Sequence, residues 1–120
     1  MPSLVGQVES TIYTANGQPA ITITWFFDNT TRVLRTNPAQ WTAPDGTVYP
    51  AGSGALIVDN ALPKQIRVEV NVGGTVVRWI DVPASTNRAF SPTQLANISP
   101  ANGGPYTTAA DFNGVTFSLA

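Results

Sequence analysis

The sequence predicts an all-β protein: one small β-sandwich or partly open barrel with a single short helix, residues 1–120 forming one domain. Three observations lead there. Turn signals recur about every ten residues: Asn16-Gly17, Pro44-Asp45-Gly46, Gly52-Ser53-Gly54, Gly73-Gly74, Asn102-Gly103-Gly104 and Asn113-Gly114. Between them lie short runs rich in Val, Ile, Thr and aromatic residues. Hydrophobic residues make up 42% of the chain, enough for a core, and no run approaches the ~20 apolar residues of a membrane span.

The first hairpin centres on Asn16-Gly17, a dipeptide suited to a two-residue type I′ turn because both positions need positive φ. An uninterrupted ladder from that turn sets Ile12 against Ile21, Ser10 against Ile23 and Val8 against Trp25. It places Val8, Ile12, Ile21, Ile23, Trp25 and Phe27 on the core face. The second hairpin centres on Gly73-Gly74. Pairing Glu69 with Arg78 puts a cross-strand ion pair on one face and Val68, Val70 and Trp79 on the other. A register one residue longer buries Val76, Ile80 and Val82 but draws Arg78 inward, so the charge-pairing register is preferred. Val76 and Ile80 then lie on the outer face, leaving the hairpin apolar on both sides. Further strands are expected near 31–35, 47–49, 55–58, 88–90 and 115–119. Ser91-Pro92-Thr93-Gln94 reads as a capping box, with Ser91 at the N-cap, Pro92 at N1 and Gln94 at N3, opening a helix to about Ile98.

Composition limits the function. Charged residues are 11% and net charge is −1, with no basic stripe to neutralise phosphates, so no nucleic-acid partner is expected. No cysteine or histidine is present, which removes disulfides, thiolate sites and imidazole-based general bases or zinc ligands. The serines and threonines have no His to activate them, and the one lysine, Lys64, is read as solvated. Most aspartates sit at expected strand ends or turns, where local hydrogen bonding accounts for them. No catalytic or metal residue is assigned and no cofactor is expected. Asp28-Asn29 and Asp59-Asn60 supply too few ligands in one loop for calcium, although a site assembled from separate loops would be compatible. Met1–Gly6 has no basic segment before an apolar one, so it is not read as a signal peptide. Asn29-Thr30-Thr31 and Asn97-Ile98-Ser99 match the glycosylation pattern and are read as chance.

Aromatic residues offer one binding reading. Trp41, Tyr49 and Tyr106 lie in Pro-flanked loops, where exposed rings could stack on a glycan. The favoured alternative folds Trp41 back to cap the sandwich. The remaining composition is rich in Thr, Asn, Gly, Pro and Ala and poor in Lys and Glu, like an externally exposed β-module. The stretch Ile66-Arg67-Val68-Glu69-Val70-Asn71-Val72-Gly73-Gly74, continued in Val82-Pro83-Ala84-Ser85-Thr86-Asn87-Arg88, resembles small β-sandwich accessory proteins of tailed phages. Capsid decoration proteins and tail-surface modules are among these. The resemblance implies a non-enzymatic protein made in the host cytoplasm and carried on the virion, in contact with copies of itself and other virion proteins. Leu4 and Val5 in the apolar N-terminal segment, with Val76 and Ile80, are the expected interface residues. The alternative is an extracellular carbohydrate-binding or adhesion module using Trp41, Tyr49 and Tyr106.

Overall fold

The computed structural model describes residues 8–28, 30, 33–72, 75–96 and 116–120. Its elements are β1 (Val8–Ala15), β2 (Gln18–Phe26), β3 (Trp41–Thr42), β4 (Val48–Tyr49), β5 (Leu56–Asn60), β6 (Ile66–Val72), β7 (Thr75–Val82), β8 (Thr86–Phe90), α1 (Pro92–Ala96) and β9 (Thr116–Leu119). The fold is all-β. A four-stranded antiparallel sheet in the order β1-β2-β5-β8 faces a three-stranded sheet in the order β7-β6-β9, and β3 and β4 form a small ribbon of their own. Among the described residues no strand joins the two main sheets into a closed barrel. Of the expected strand at 31–35, residues 31 and 32 lie outside the described residues, and Leu34 forms an isolated bridge with Phe27.

Asn16 and Gly17 both have positive φ (54° and 76°), as the type I′ turn requires. The ladder beside the turn is as expected, pairing Ala15 with Gln18 and Thr14 with Pro19. A β-bulge then intervenes. Tyr13 pairs with Ile21, so Ala20 is an extra residue on β2. The Ala20 carbonyl is not left idle, because it accepts a hydrogen bond from the Ala61 N–H at 2.8 Å. Every later pair moves by one: Ile12 stands opposite Thr22, and Val8 opposite Phe26. Ile12 is therefore 46% exposed and Val8 only half-buried, which corrects their assignment to the core. Tyr13 turns inward instead, and its hydroxyl oxygen accepts a hydrogen bond from the Leu119 N–H across the sandwich.

The second hairpin repeats the device. Val72 pairs with Thr75 and Asn71 with Val76, but Val70 pairs with Arg78, leaving Val77 as the extra residue on β7. The charge-pairing register is thus overturned. Arg78 lies fully buried on the inner face, and Ile80 is 3% exposed in the core. Trp79, expected inside, is 44% exposed on the outer face. A two-residue turn and the longer register coexist because the bulge absorbs the difference.

The core between the sheets is built from Ile21, Ile23, Trp25 and Phe27 of β2 and its continuation, Leu56 and Val58 of β5, Ile66, Val68 and Val70 of β6, Ile80 and Val82 of β7, and Phe117 of β9. The Trp25 and Phe117 rings meet with centroids 5.3 Å apart. Leu95 of α1, fully buried, closes one side. The helix begins as expected: Ser91 Oγ accepts from the Gln94 N–H at 3.1 Å, and Gln94 Oε1 accepts from the Ser91 N–H at 2.8 Å. Gly54 lets the chain approach β8 closely, since a Cβ there would sit 3.1 Å from the Phe90 carbonyl oxygen and 3.2 Å from the Ala89 Cβ, tighter than ordinary contact.

Candidate functional site

β2 and β5 are buried on both faces. Their outward residues Thr22, Thr24, Phe26, Ile57 and Asp59 are all 4% exposed or less. The cover is the excursion between Phe27 and Ala55 that carries β3 and β4. Asn37 pins it: its Nδ2 donates to the Ala39 and Pro50 carbonyls at 3.0 and 2.8 Å, and its Oδ1 accepts from the Gly54 N–H at 3.1 Å. Its backbone also exchanges hydrogen bonds with Gly54 and Gly52.

This excursion brings two of the three candidate glycan residues together. Trp41 and Tyr49 are paired across β3 and β4, and their rings stack with centroids 5.7 Å apart and planes at 29°. Trp41 also meets Phe26 edge-on at 5.8 Å. Tyr106 lies outside the described residues. The Tyr49 hydroxyl donates to Asp59 Oδ1. Asp59 Oδ2 is buried with no hydrogen-bond partner. Burial raises the carboxyl above its ordinary range, and the Tyr49 hydrogen bond acts in the opposite sense. The Tyr49 hydroxyl is also raised, first by burial and then by Asp59. It therefore stays protonated and donates. The arrangement seals the outer face of the sheet, with Trp41 and Tyr49 both half-buried.

The three-stranded sheet is different. Its inner face joins the core, while its outer face carries Arg67, Glu69 and Asn71 of β6 beside Asp81, Trp79 and Val76 of β7. Arg67 grips Asp81 with two hydrogen bonds, Nε to Oδ1 at 2.8 Å and Nη2 to Oδ2 at 3.2 Å. The same guanidinium lies 5.4 Å from the centroid of the Trp79 ring. The guanidinium, itself held by Asp81, restricts the rotamer freedom of this exposed indole.

Of the expected interface residues, Val76 lies on this outer face and is half-buried. Ile80 is withdrawn into the core by the bulge, so it is not a surface residue. Leu4 and Val5 lie outside the described residues. Trp79 was expected inside, and the register set aside for burying Arg78 is the one that exposes it. Among the described residues, no three acidic side chains gather as a metal would require. No family model matches the chain, and no curated protein or solved structure is significantly similar to it.

Proposed function

We propose that this chain is a non-catalytic structural protein of the decoration type, carried on a phage virion and docking in multiple copies. The observation that supports this most is the outer face of the β7-β6-β9 sheet, where Trp79 is 44% exposed beneath the Arg67 guanidinium. Trp and Arg dominate the energetics of protein contacts, and a rigid sheet presents them without reorganisation. The low content of charge suits a subunit that packs against others, because charged residues are depleted at interface centres. The virion setting rests on the sequence resemblance in residues 66–88. Light scattering of the purified protein across a wide concentration range, with imaging of the particles it decorates, tests the reading. Assemblies or regular decoration are expected. A chain that stays monomeric at millimolar concentration and binds no particle would refute it.

One observation favours the second reading. Trp41 and Tyr49, named as glycan contacts, stand side by side above a carboxyl group. A glycan array separates the two: binding that disappears in Trp41→Ala and persists in Trp79→Ala would replace the structural role with carbohydrate recognition.

A further inference from the structure

The excursion over the four-stranded sheet is held in two different ways. Its root is clamped by Asn37, whose side chain and backbone bind Ala39, Pro50, Gly52 and Gly54. These bonds join uncharged groups and do not change with pH. Its tip, residues 41–49, is a ribbon of two residue pairs, closed by the Ala43 N–H donating to the Thr47 carbonyl at 2.8 Å. A ribbon so short is not stable alone. It rests on the sheet through the edge contact of Trp41 with Phe26 and through the Tyr49 hydroxyl, which donates to Asp59 Oδ1.

That polar tie ends on an ionisable group in a buried setting. Asp59 is 4% exposed, and its Oδ2 has no hydrogen-bond partner among the described residues. Its neighbours across the sheet, Thr22 of β2 and Asn87 of β8, are uncharged. From the excursion come Tyr49, whose hydroxyl stays protonated, and Asp45, a second acid. The groups that bear on the carboxyl therefore include no cation. Once ionised, it is a buried charge with one oxygen unsatisfied, and lifting the tip is the way to give that oxygen water. We propose that Tyr49 and Asp59 form a pH-operated latch: the tip lies closed on the sheet while Asp59 is protonated and lifts about the Asn37 clamp when Asp59 ionises. Lifting uncovers Thr24, Phe26 and Ile57, which the excursion otherwise seals. The latch does not depend on the proposed multicopy role. Its sign follows from burial, which raises the Asp59 pKa only while the tip is closed. The opening constant is flat below the free-aspartate pKa of about 3.9, climbs by up to about tenfold per pH unit above it, and levels off beyond the closed-state pKa.

Amide hydrogen exchange of the full chain, read by NMR from pH 3 to 8 and divided by the intrinsic rate at each pH, measures the opening. The Ala43 and Gly46 amides, bonded within the tip, should show an opening constant that rises with pH by up to about tenfold per unit. Gly52 and Gly54 at the root should not follow that slope. Asp59→Asn keeps an acceptor for Tyr49 and cannot ionise, so its tip should stay closed with no slope. Tyr49→Phe removes the tie and should raise tip opening about tenfold at the acid end, where the wild type is closed. Tip amides that open only together with those of β2 and β5 would overturn the latch, as would a wild-type opening constant independent of pH. A slope shared by Gly52 and Gly54, or one that persists undiminished in Asp59→Asn, would do the same. Should Asp59→Asn fail to fold, the wild-type slope and Tyr49→Phe decide the matter.

Discussion

Asp59 holds a carboxyl group away from water on the outer face of the β1-β2-β5-β8 sheet, with one oxygen bonded to Tyr49 and the other to nothing. An unpartnered buried acceptor costs about 1–3 kcal/mol, and more when charged. The groups that bear on it are Tyr49 and Asp45 from the covering excursion, and its sheet neighbours Thr22 and Asn87. Because its folded-state pKa is raised, the folded chain holds this proton more firmly than the unfolded one. The resulting stabilisation is complete below the free-aspartate pKa of about 3.9 and is lost as pH rises through the folded value. Asp81 runs the other way, since the Arg67 hydrogen bond lowers its pKa. Comparing wild type with Asp59→Asn cancels that contribution. Denaturant midpoints measured from pH 3 to 8 should show the wild type losing stability relative to Asp59→Asn as pH rises. A relative gain over that range would contradict the burial argument.

The elements were legible where short-range chemistry decides them. Asn16-Gly17 reads as a turn because only such residues accept two positive φ angles, and Ser91 with Gln94 reads as a cap because each can satisfy the other's backbone N–H. Register was not legible. Val77 is an ordinary β-former and nothing local marks it as a bulge, whereas beside Ala20 the one local hint is Pro19, which cannot donate to the ladder. What selects the shifted ladders is tertiary. Tyr13 must reach the Leu119 N–H, and Ile80 and Val82 must meet Val68 and Ile66 in the core. For the same reason Ile12, Trp79 and Arg78 all lay on the wrong face in the sequence reading. Trp41 and Tyr49 were recognisable as candidates, but their stacking depends on two-residue strands too short to carry a periodic signal. Asn37 carried no signal in the sequence and Asn60 entered only beside Asp59 as a pair of oxygen ligands, whereas each is a buried clamp on several backbone groups. Asn60→Ala removes the clamp between the connections after β5 and β7, stranding backbone groups at both. It should cost about 2–4 kcal/mol in urea unfolding. Ser91→Ala removes one exposed cap and should cost about 0.5–2 kcal/mol. A Ser91→Ala loss equal to or larger than that of Asn60→Ala would reverse this ranking.

At the scale of the whole molecule, the two sheets differ in what remains for a partner. In the four-stranded sheet the central strands β2 and β5 are covered on both sides, by the core on one and the β3–β4 excursion on the other, while Ile12 of the edge strand β1 stays exposed. Among the described residues the three-stranded sheet is covered only by the core, and its outer face carries the exposed indole. Under the proposed multicopy role, the four-stranded sheet would serve as scaffold and the three-stranded sheet as contact surface. That arrangement has a measurable signature in amide hydrogen exchange. The slowest amides should be those of β2 and β5, whose central residues Ile23, Thr24, Leu56 and Val58 are all fully buried and which open only on global unfolding. β7 is an edge strand in the described sheet, bonded on one side only, and its outward amides should exchange much faster. Raising protein concentration through the association range should slow exchange in β6 and β7 and leave β2 and β5 unchanged, since the latter already sit at the limit set by global stability. If the slowest amides fell in β7, or if association protected the β3–β4 excursion and not β6 and β7, the contact surface would have to be moved to the Trp41 side of the molecule.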